Sequence, residues 1–284
     1  MTMGIRFDGR VVVITGAGRG LGRAYATFIA SLGGAVIVND AGVGLDGRGT
    51  DPSVATTVAA EITAAGGIAQ PVAFDLGHRE QCEALVELTL RQFGRADALI
   101  HSAGLVDHSA IENVTAEIWE RLRAVNIDAP FWLCRAVLPV MRSQGYGRIV
   151  LTVSGHGLYA DHELSLPVYA VGKAAQFGLV NALAGAGRAH GVLINAVSPV
   201  GATRMFTGAT PAGLEPDRVA PGVAFLASER CRSSGIVLRA SGGRFSRGGY
   251  ATTEGILLNE DEGIDEIDRR WAEVVASPVR LAET

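Results

Sequence analysis

Tyr169 and Lys173, four residues apart, form the pair in this sequence that is best suited to acid–base chemistry. In a helix, residues with this spacing lie on one face, so the phenol and the ammonium can meet. A free tyrosine has a pKa of ~10, so only about one phenol in a thousand is ionised at neutral pH. A cation at ~4 Å, with an effective dielectric constant of about 20, supplies the ~4 kcal/mol that lowers a pKa by about three units. The spacing therefore predicts a general acid/base that exchanges a proton with a hydroxyl near pH 7.

A serine adds a hydroxyl that can act beside this pair. Ser154 follows the apolar run Arg148–Val153, which has the pattern of a β-strand. At the carboxyl end of a parallel strand, its side chain would reach the crevice where such sheets bind ligands, and could hydrogen-bond a substrate oxygen as charge develops. A serine-hydrolase elbow is excluded, because Thr152 stands where the GxSxG turn needs glycine.

The segment Thr15–Gly22 has glycines with a spacing that suits a phosphate-binding turn. It reads TGAGRGLG, a TGxxxGxG pattern rather than the GxGxxG of many dinucleotide-binding turns. Glycines permit a tight turn and let the backbone approach a pyrophosphate, whose charge then meets the amides of the next helix. The turn lies between a predicted strand and a predicted helix, with an acid about 20 residues further on, which strengthens the prediction.

That acid is Asp40, which ends the run Val36–Asn39. A carboxylate there accepts hydrogen bonds from the adenosine ribose hydroxyls and repels a 2′-phosphate, so we predict NAD as the cofactor. Arg19 in the glycine turn favours NADP, because its charge could pair with that phosphate. Asp40 has the greater weight, since its charge must be overcome before NADP binds. Asp75, at the end of the third predicted strand, is expected to contact the adenine.

Short β-branched runs alternate with longer segments of helical period along most of the chain. Most runs are continuously apolar, which is typical of strands buried on both faces of a parallel sheet. The alternation predicts an α/β fold with a doubly wound, Rossmann-type parallel sheet in a single domain, residues 1–240, and a C-terminal extension, residues 241–284, that packs on the domain or on a partner subunit. The predicted strands are Val11–Thr15, Ala35–Asn39, Ala69–Phe74, Ala98–His101, Arg148–Val153, Leu193–Val197 and Ile236–Arg239, and the helices lie near 20–32, 53–65, 79–93, 115–143, 167–189 and 216–228.

Composition and charge limit the classes of partner and the location. Hydrophobic residues make up 48% of the chain and the net charge is -4, which suits a globular core and argues against nucleic acid as a partner. No apolar run approaches the ~18 residues that span a bilayer, and the N-terminus lacks the pattern of a signal peptide. We therefore expect no membrane partner and a cytoplasmic protein, with Cys82, Cys134 and Cys231 reduced and mostly buried.

A polar cluster in the loop after Ser154 could suggest a metal site. The cluster has no ligand pair with helical spacing, so we predict no metal and expect it, with Tyr159, to line the mouth of a substrate cleft. Its members are His156, Asp161, His162 and Glu163.

Taken together, the motifs resemble the short-chain dehydrogenase/reductase family over residues 10 to about 240. The resemblance rests on TGxxxGxG, the acid after the second strand, Asn126 within VNI, Ser154 and YxxxK. It implies an enzyme that moves a hydride between nicotinamide and a carbonyl or alcohol carbon. It also implies that Asn126 holds a water in a proton relay behind Lys173, and that Lys173 binds the nicotinamide ribose. The implied catalytic residues are Asn126, Ser154, Tyr169 and Lys173, and the implied cofactor-binding residues are Gly16, Arg19, Gly20, Leu21, Asp40, Asp75, Leu76, Ser102, Ala103, Gly104, Tyr169, Lys173, Pro199, Val200 and Thr203.

Two features depart from the family pattern. The family's NNAG after the fourth strand is HSAG here, starting at His101, in a motif that mainly supports the sheet and the floor of the cofactor site. The interval from Ser154 to Tyr169 is longer than usual, so the loop His156–Pro167 is expanded. The expansion puts the substrate-side geometry in question, but not the family.

Within the family, the sequence is similar to the (3R)-hydroxyacyl-CoA dehydrogenase modules of type-2 peroxisomal multifunctional enzymes. The similarity lies in TGAGRGLGRAYA, VND with the glycine-rich insertion after it, SGHGLYA, SPVGATRM, RVAPGVAFLAS and the tail beyond residue 240. It implies an acyl-CoA substrate, a (3R)-3-hydroxyacyl-CoA oxidised to the 3-ketoacyl-CoA. Three arginines could bind the CoA phosphates or could serve only solubility. They are Arg239, Arg244 and Arg247.

Two other functions remain open at this point. One is an NAD-dependent dehydrogenase of a hydroxysteroid or another secondary alcohol. The other is a dinucleotide-binding sensor without turnover, although a sensor need not keep all four implied catalytic residues.

The resemblance also implies a homodimer or homotetramer. The alanine-rich helices near 115–143 and 167–189 resemble those through which family members pair. Small residues on the second of them would allow close approach, namely Ala182, Ala184, Gly185 and Ala186.

Overall fold

The computed structural model describes residues 4–160, 166–205, 212–260, 262–276 and 280–281. The chain divides into two units, Met1–Arg247 and Gly248–Thr284. The first unit contains the sheet and the predicted site residues, and the second corresponds to most of the predicted extension.

Eight strands, all but the last predominantly apolar, form the sheet described in the first unit. They are β1 (Val11–Thr15), β2 (Ala35–Asn39), β3 (Ile68–Val72), β4 (Ala98–His101), β5 (Gly147–Thr152), β6 (Val192–Val200), β7 (Val237–Ser241) and β8 (Arg244–Gly248). The order across the sheet is β3-β2-β1-β4-β5-β6-β7-β8, and the pairs from β3 to β7 are parallel. Because β1 lies between β2 and β4, the chain winds in opposite directions on its two sides, and a crevice opens at the carboxyl ends of these strands. The predicted fold is confirmed.

Helices cover both faces of this sheet. They are α1 (Gly20–Ser31), α2 (Ser53–Ala64), α3 (Arg79–Phe93), α4 (Ala116–Arg123), α5 (Ala129–Gln144), α6 (Pro167–Arg188) and α7 (Ala220–Ala227). Val12 and Ile14 of β1 pack in the apolar cluster that contains α1, α2 and α7. Val13, between them, packs in the cluster that contains α3 and α5. This alternation explains why β1 is continuously apolar.

The bounds of β3, β6, β7 and α7 differ from the predicted ones by one to four residues, and two larger differences concern the kind of element. Residues 115–143 were expected to form one helix, but α4 and α5 are joined by a π-helical turn, Ala124–Asp128. Such widened turns often occur at functional sites. Strand β8 was not predicted, because its residues are mostly polar and exposed. It follows β7 through Gly242 and Gly243, whose φ angles of 55° and 84° suit a two-residue hairpin turn.

The continuous helical run Ala116–Gln144 is long and apolar enough, by length and composition, to cross a membrane. Its inner face packs in the core of the first unit instead. Leu133, Cys134, Val137 and Met141 are each at most 1% exposed and pack in the cluster on the α3 side of the sheet. This is the position of a core helix in an α/β domain.

The three cysteines are buried, free thiols. Burial raises the pKa of Cys82 and of Cys134 to about 12. Both therefore stay protonated near neutral pH, as unreactive core thiols do.

The glycine-rich loop after β2 folds against α4. Val43 packs with Leu105 in a small apolar cluster, and Arg48 forms an ion pair with Glu117 of α4. A Cβ at Gly47, where φ is +74°, would lie 2.7 Å from Cδ1 of Leu105. Glycine at this position lets the loop approach closely enough to form one wall of the crevice.

The second unit has its own small elements, β9 (Ala251–Thr252), α8 (Ile264–Arg269), α9 (Trp271–Val274) and β10 (Arg280–Leu281). Strands β9 and β10 pair antiparallel, and the Thr253 hydroxyl donates to the Val274 carbonyl at 2.7 Å. The second unit begins after Arg247 rather than after the predicted residue 240, because β8 adds a strand to the sheet of the first unit. Packing of the extension on the domain or on a partner subunit stays a prediction.

Candidate active site

A cavity of about 1710 Å³ lies at the carboxyl ends of the strands, beside the switch point between β1 and β4. Every predicted cofactor-binding residue lines it, and so do three of the four predicted catalytic residues. Asn126 lies behind the cavity wall and is fully buried. The lining residues from the prediction are Gly16, Arg19, Gly20, Leu21, Asp40, Asp75, Leu76, Ser102, Ala103, Gly104, Ser154, Tyr169, Lys173, Pro199, Val200 and Thr203.

The glycine positions of the turn leave no room for a Cβ atom. A Cβ at Gly22 would lie 2.1 Å from the carbonyl oxygen of Gly16, and a Cβ at Gly16 would lie 2.8 Å from Cα of Ala103. Helix α1 begins at Gly20, and its N-cap residue Arg19 makes no side-chain capping hydrogen bond. The first amides of α1 are therefore available to an anion, and the close-packed turn fits a pyrophosphate.

Asp40 holds the turn and the following loop together. Its Oδ2 accepts a hydrogen bond from the Gly18 amide at 2.9 Å, and its Oδ1 accepts one from the Gly42 amide at 2.8 Å. The carboxylate thus has a fixed orientation at the end of β2. Each oxygen retains lone-pair capacity for a ligand hydroxyl.

Two arginines meet next to this carboxylate. Nη1 of Arg19 and Nη1 of Arg204 donate to the same carbonyl, that of Val43, at 3.1 and 3.0 Å. Burial and the charge of Arg19 lower the pKa of Arg204, while the Asp40 carboxylate raises it. Arg204 was not predicted as a site residue, because only the tertiary fold brings it to Val43.

The segment after β6, Gly201–Thr203, packs directly on the glycine turn. A Cβ at Gly20 would lie 3.0 Å from Cγ2 of Thr203, and a Cβ at Gly201 would lie 2.8 Å from Cδ2 of Leu21. On the other side of the cavity, Oδ1 of Asp75 accepts a hydrogen bond from the Gly77 amide at 2.9 Å. Thr203 and Asp75 thus both line the same cavity.

Ser154, Tyr169 and Lys173 meet in this cavity. Ser154 follows β5, while α6 begins at Pro167 and carries the other two residues in its first turns. The Ser154 hydroxyl lies close enough to the Tyr169 phenol to lower its pKa. Nζ of Lys173 lies 5.6 Å from the centre of the Tyr169 ring and donates to the Thr152 carbonyl at 2.8 Å.

The pKa values differ from the expectation for this pair. Burial raises the pKa of Tyr169, and the hydrogen bond with Ser154 lowers it by less. Burial also lowers the pKa of Lys173 to about 8. The expectation that the ammonium lowers the tyrosine pKa toward neutrality was therefore wrong for the protein alone. Both groups are withdrawn from water, and burial opposes the charged form of each.

Asn126 is tied to the backbone through its side chain. Its Oδ1 accepts from the Leu105 amide at 3.0 Å, and its Nδ2 donates to the Leu105 carbonyl at 2.8 Å. A Cβ at Gly104 would lie 3.2 Å from Oδ1 of Asn126 and 3.3 Å from Nζ of Lys173. Asn126 thus lies close behind the lysine, and its role in a water relay stays a prediction.

His101, where the family has asparagine, lies fully buried beneath the cavity. The Thr15 hydroxyl accepts from the amides of Ser102 and Ala103, both at 3.2 Å, and lies 2.9 Å from Nδ1 of His101. With its lone pairs engaged, the hydroxyl must donate to Nδ1, so the neutral ring carries its proton on Nε2. Burial, and to a lesser extent the charge of Lys173, lowers the pKa of His101 to about 3.

This histidine predicts a loss of stability in acid. Between a pKa of about 6.5 unfolded and about 3 folded, only the unfolded chain is protonated, so stability falls as pH drops through this range. At pH ~4.5 the loss is about 3 kcal/mol relative to pH ~7.5. We expect His101→Asn to remove this part of the acid sensitivity in urea unfolding at both pH values. His190→Asn, at an exposed position, is the control and should behave as wild type; equal acid sensitivity of the His101 variant would contradict the assignment.

The outer end of the cavity carries one of the three arginines that the sequence suggested for CoA. The guanidinium of Arg239 lies 5.6 Å from the centre of the Tyr159 ring, and both residues line the cavity. Arg244 and Arg247 lie on β8, and neither is among the described residues that line the cavity.

His156 lies on the cavity wall as predicted, its ring 6.2 Å from that of Tyr169. The expected mouth residues Asp161, His162 and Glu163 lie outside the described residues. Within the described ranges, no group of three or more histidine, cysteine, aspartate or glutamate side chains is arranged to hold a metal ion.

Comparisons with known proteins agree with this geometry. The sequence model of the family described as short chain dehydrogenase matches residues 10–212. The chain is 33% identical over 277 residues to a peroxisomal hydratase-dehydrogenase-epimerase of Neurospora crassa, and the match covers 95% of this chain but 30% of that protein. The chain therefore spans less than a third of the length of this relative.

Two solved structures have the same fold over most of their length. A short chain dehydrogenase from Mycobacterium avium has a TM-score of 0.83 and 32% identity, covering 97% of this chain and 98% of that one. A metagenomic short-chain oxidoreductase in complex with NADP has a TM-score of 0.68 and 32% identity, covering 80% of this chain and 95% of that one. The similarities in sequence and structure confirm the resemblance, and this chain belongs to the short-chain dehydrogenase/reductase family.

Proposed function

We propose that the protein is an NAD-dependent oxidoreductase that interconverts a secondary alcohol and a ketone, with a (3R)-3-hydroxyacyl-CoA as the alcohol. The observation that carries the proposal is the meeting of Ser154, Tyr169 and Lys173 in one cavity with the glycine turn. A phenol, a hydroxyl and an ammonium in that arrangement suit proton exchange with an alcohol oxygen.

The residues around the glycine turn fit a nicotinamide dinucleotide. The turn is too tight for any Cβ at Gly16 or Gly22, and α1 offers uncapped amides to a pyrophosphate. Asp40, with its orientation fixed by two amides, would accept hydrogen bonds from the adenosine ribose hydroxyls. These contacts support NAD. The positive charges of Arg19 and Arg204 favour the 2′-phosphate of NADP instead, and we give the Asp40 carboxylate the greater weight.

In the proposed oxidation, the hydroxyl proton of the substrate moves to the phenolate oxygen of Tyr169 as the C–H bond breaks. The bound nicotinamide supplies the hydride acceptor for this step, or the hydride donor in reverse. Ser154 holds the substrate oxygen through a hydrogen bond as the carbonyl forms. The electron pair of the broken O–H bond becomes the second bond of the carbonyl. The pair of the broken C–H bond leaves with the hydride, so charge and protons balance.

Lys173 would support the ionised form of Tyr169 and contact the nicotinamide ribose. Its ammonium has three N–H donors, and one is used by the Thr152 carbonyl. The remaining donors can serve a ribose hydroxyl and the proton path toward Asn126. The protein thereby fixes the charge of the buried Lys173 close to the phenol.

The choice of a CoA ester rests on similarity and on the outer end of the cavity. The Neurospora relative is a peroxisomal hydratase-dehydrogenase-epimerase, and the similarity covers nearly the whole of this chain. Arg239 lies at the outer end of the cavity with its guanidinium next to Tyr159. A guanidinium in this position can form charge-assisted hydrogen bonds with phosphate.

A panel of substrates tests this proposal. R and S 3-hydroxyacyl-CoA esters of several lengths are compared with free sterol alcohols, and NADH formation is measured by absorbance. We expect the R esters to turn over best. Arg239→Gln should raise KM for the CoA ester about tenfold, the loss of one charge-assisted hydrogen bond.

Two controls separate binding of CoA from general damage. The N-acetylcysteamine thioester of the same hydroxyacyl group lacks the phosphates, so its KM should not respond to Arg239→Gln. Arg244→Gln removes an exposed arginine of β8 that does not belong to the described cavity lining and should leave both KM values unchanged. Good turnover of free alcohols with inert CoA esters would reject the CoA proposal.

That outcome would favour the second candidate, a dehydrogenase of a hydroxysteroid or another secondary alcohol. The observation in its favour is the apolar part of the cavity wall, which includes Val106, Leu166 and Met205. Such a wall suits a ring system as well as an acyl chain.

We also propose a homo-oligomer, with a cytoplasmic location as in the sequence-based expectation. Large apolar side chains are exposed on the three helices that would pair: Trp119 on α4, Phe131 on α5 and Val171 on α6 are 37%, 48% and 48% exposed. An interface between copies would bury them.

A further inference from the structure

Helix α6 carries a third polar side chain in line with Tyr169 and Lys173. Gln176 follows Lys173 by three residues and Tyr169 by seven, so all three lie on one face of the helix. Gln176 is 1% exposed. A buried amide on a helix that is otherwise rich in alanine requires a polar partner.

That partner is the backbone of the π-helical turn. Nε2 of Gln176 donates to the backbone carbonyl of Asn126 at 3.0 Å. Because both side-chain groups of Asn126 are engaged by Leu105, its carbonyl is the group that remains for contacts with α6. A Cβ at Gly172 would lie 2.6 Å from Cβ of Asn126, so α6 and the π-helical turn are in direct contact here.

The orientation of the Gln176 amide is fixed by chemistry. The reversed amide would place Oε1 against the Asn126 carbonyl, which is also an acceptor, so the N–H must point there. Oε1 is buried and has no hydrogen-bond partner within the described chain. This buried acceptor therefore lies on the same helix as Lys173, one turn further along.

We propose that Gln176 is a positioning residue for the proton chemistry of Tyr169 and Lys173, an inference that rests on the proposed oxidoreductase function. Its amide fixes the Asn126 carbonyl to α6 and thereby sets the position of Lys173 along the cavity floor. A carbonyl has two lone pairs, so the bond with Gln176 leaves one for the proton path behind the lysine. Gln176 is not among the described residues that line the cavity, so it would act through Asn126 and Lys173.

Gln176→Met tests the proposal, because it keeps the length of the side chain and removes the amide. We expect kcat to fall about tenfold, a fraction of the full effect of a general acid/base, with KM for alcohol and NAD within about twofold. The solvent deuterium isotope effect on kcat should increase, since proton transfer becomes slower than the other steps. If the methionine variant does not fold, Gln176→Asn, which shortens the amide by one methylene, replaces it with the same expectation.

Gln144→Met is the matched control. Gln144 makes a pair of hydrogen bonds with the backbone of Ala96, both at 3.0 Å, remote from the described cavity lining. Its loss should lower the melting temperature while kcat and the isotope effect stay at wild-type values. A Gln176 variant that behaves in the same way has only a structural role, and the proposal is then wrong.

A measurement without substrate separates this inference from the proposed function. Hydrogen exchange of the Leu105 amide, which donates to Asn126, should be about tenfold faster in Gln176→Met and unchanged in Gln144→Met. Unchanged exchange in the Gln176 variant overturns the inference even if the wild type turns over none of the alcohols. If exchange changes and any alcohol in the panel reacts, the kinetic tests proceed on that alcohol, whether or not a CoA ester is active.

Discussion

Tyr169→Phe is expected to bind NADH with nearly wild-type affinity and to lose about 10³-fold in kcat. The substitution removes one oxygen and leaves the ring in its half-buried position on α6, so the cavity and the glycine turn should keep their shape. What is lost is the group that exchanges a proton with the alcohol oxygen. Fluorescence titration measures NADH binding, and stopped or continuous assays with the best alcohol measure turnover.

Tyr146→Phe is the control for this experiment. Tyr146 lies between the guanidinium groups of Arg10 and Arg148, away from the described cavity lining. Its variant should keep turnover, although its stability can change. If Tyr169→Phe retains more than a few per cent of the wild-type kcat, an order-of-magnitude limit for the loss of a general acid/base, Tyr169 does not have that role.

The second large effect concerns the choice of cofactor. We expect the wild type to bind NADH about 100-fold more tightly than NADPH. At ~5 Å, with an effective dielectric constant of about 20, each unit of phosphate charge is repelled by the Asp40 carboxylate by about 3 kcal/mol, or about 100-fold. Arg19 and Arg204 offset part of this repulsion. Titration with each nucleotide measures the ratio.

Substitution of Asp40 tests the cause of this preference. Asp40→Asn removes the charge with little change of shape, so the ratio should fall by at least about tenfold. Asp46→Asn, in the same loop, removes a carboxylate that accepts from the Arg48 amide, and it should leave the ratio unchanged. Equal or tighter binding of NADPH by the wild type would reject NAD as the preferred cofactor.

The parts of the fold that could be predicted are those with strong local patterns. Strands β1, β2 and β4 have the predicted bounds, because continuous apolar runs end at polar or glycine-rich turns. Helix α3 ends where predicted, since Gly94 adopts a φ of 71° after its last turn. Strand β8 could not be predicted, because its side chains have neither an apolar run nor a regular alternation.

The candidate site was predictable where chain order and fold class place residues together. Ser154 follows one strand, Tyr169 and Lys173 share one helix face, and parallel strands bring their ends to one edge. The contacts of Arg204 with Val43 and of Gln176 with Asn126 depend on tertiary packing that no local spacing describes. The pKa values of Tyr169 and Lys173 also depend on burial, which the spacing alone does not give.

The place of β1 in the sheet has a consequence for how the chain folds as it is synthesised. β1 is the first strand to be made, yet it lies in the interior of the sheet between β2 and β4. One edge of β1 can pair with β2 soon after both are made, but the other edge stays unpaired until β4 (Ala98–His101) has been synthesised. Until then the nascent chain has an open strand edge of consecutive valine and isoleucine, with its backbone groups unpaired. Long-range parallel pairing of this kind is slow and prone to aggregation, so the newly made N-terminal half depends on β4 for protection.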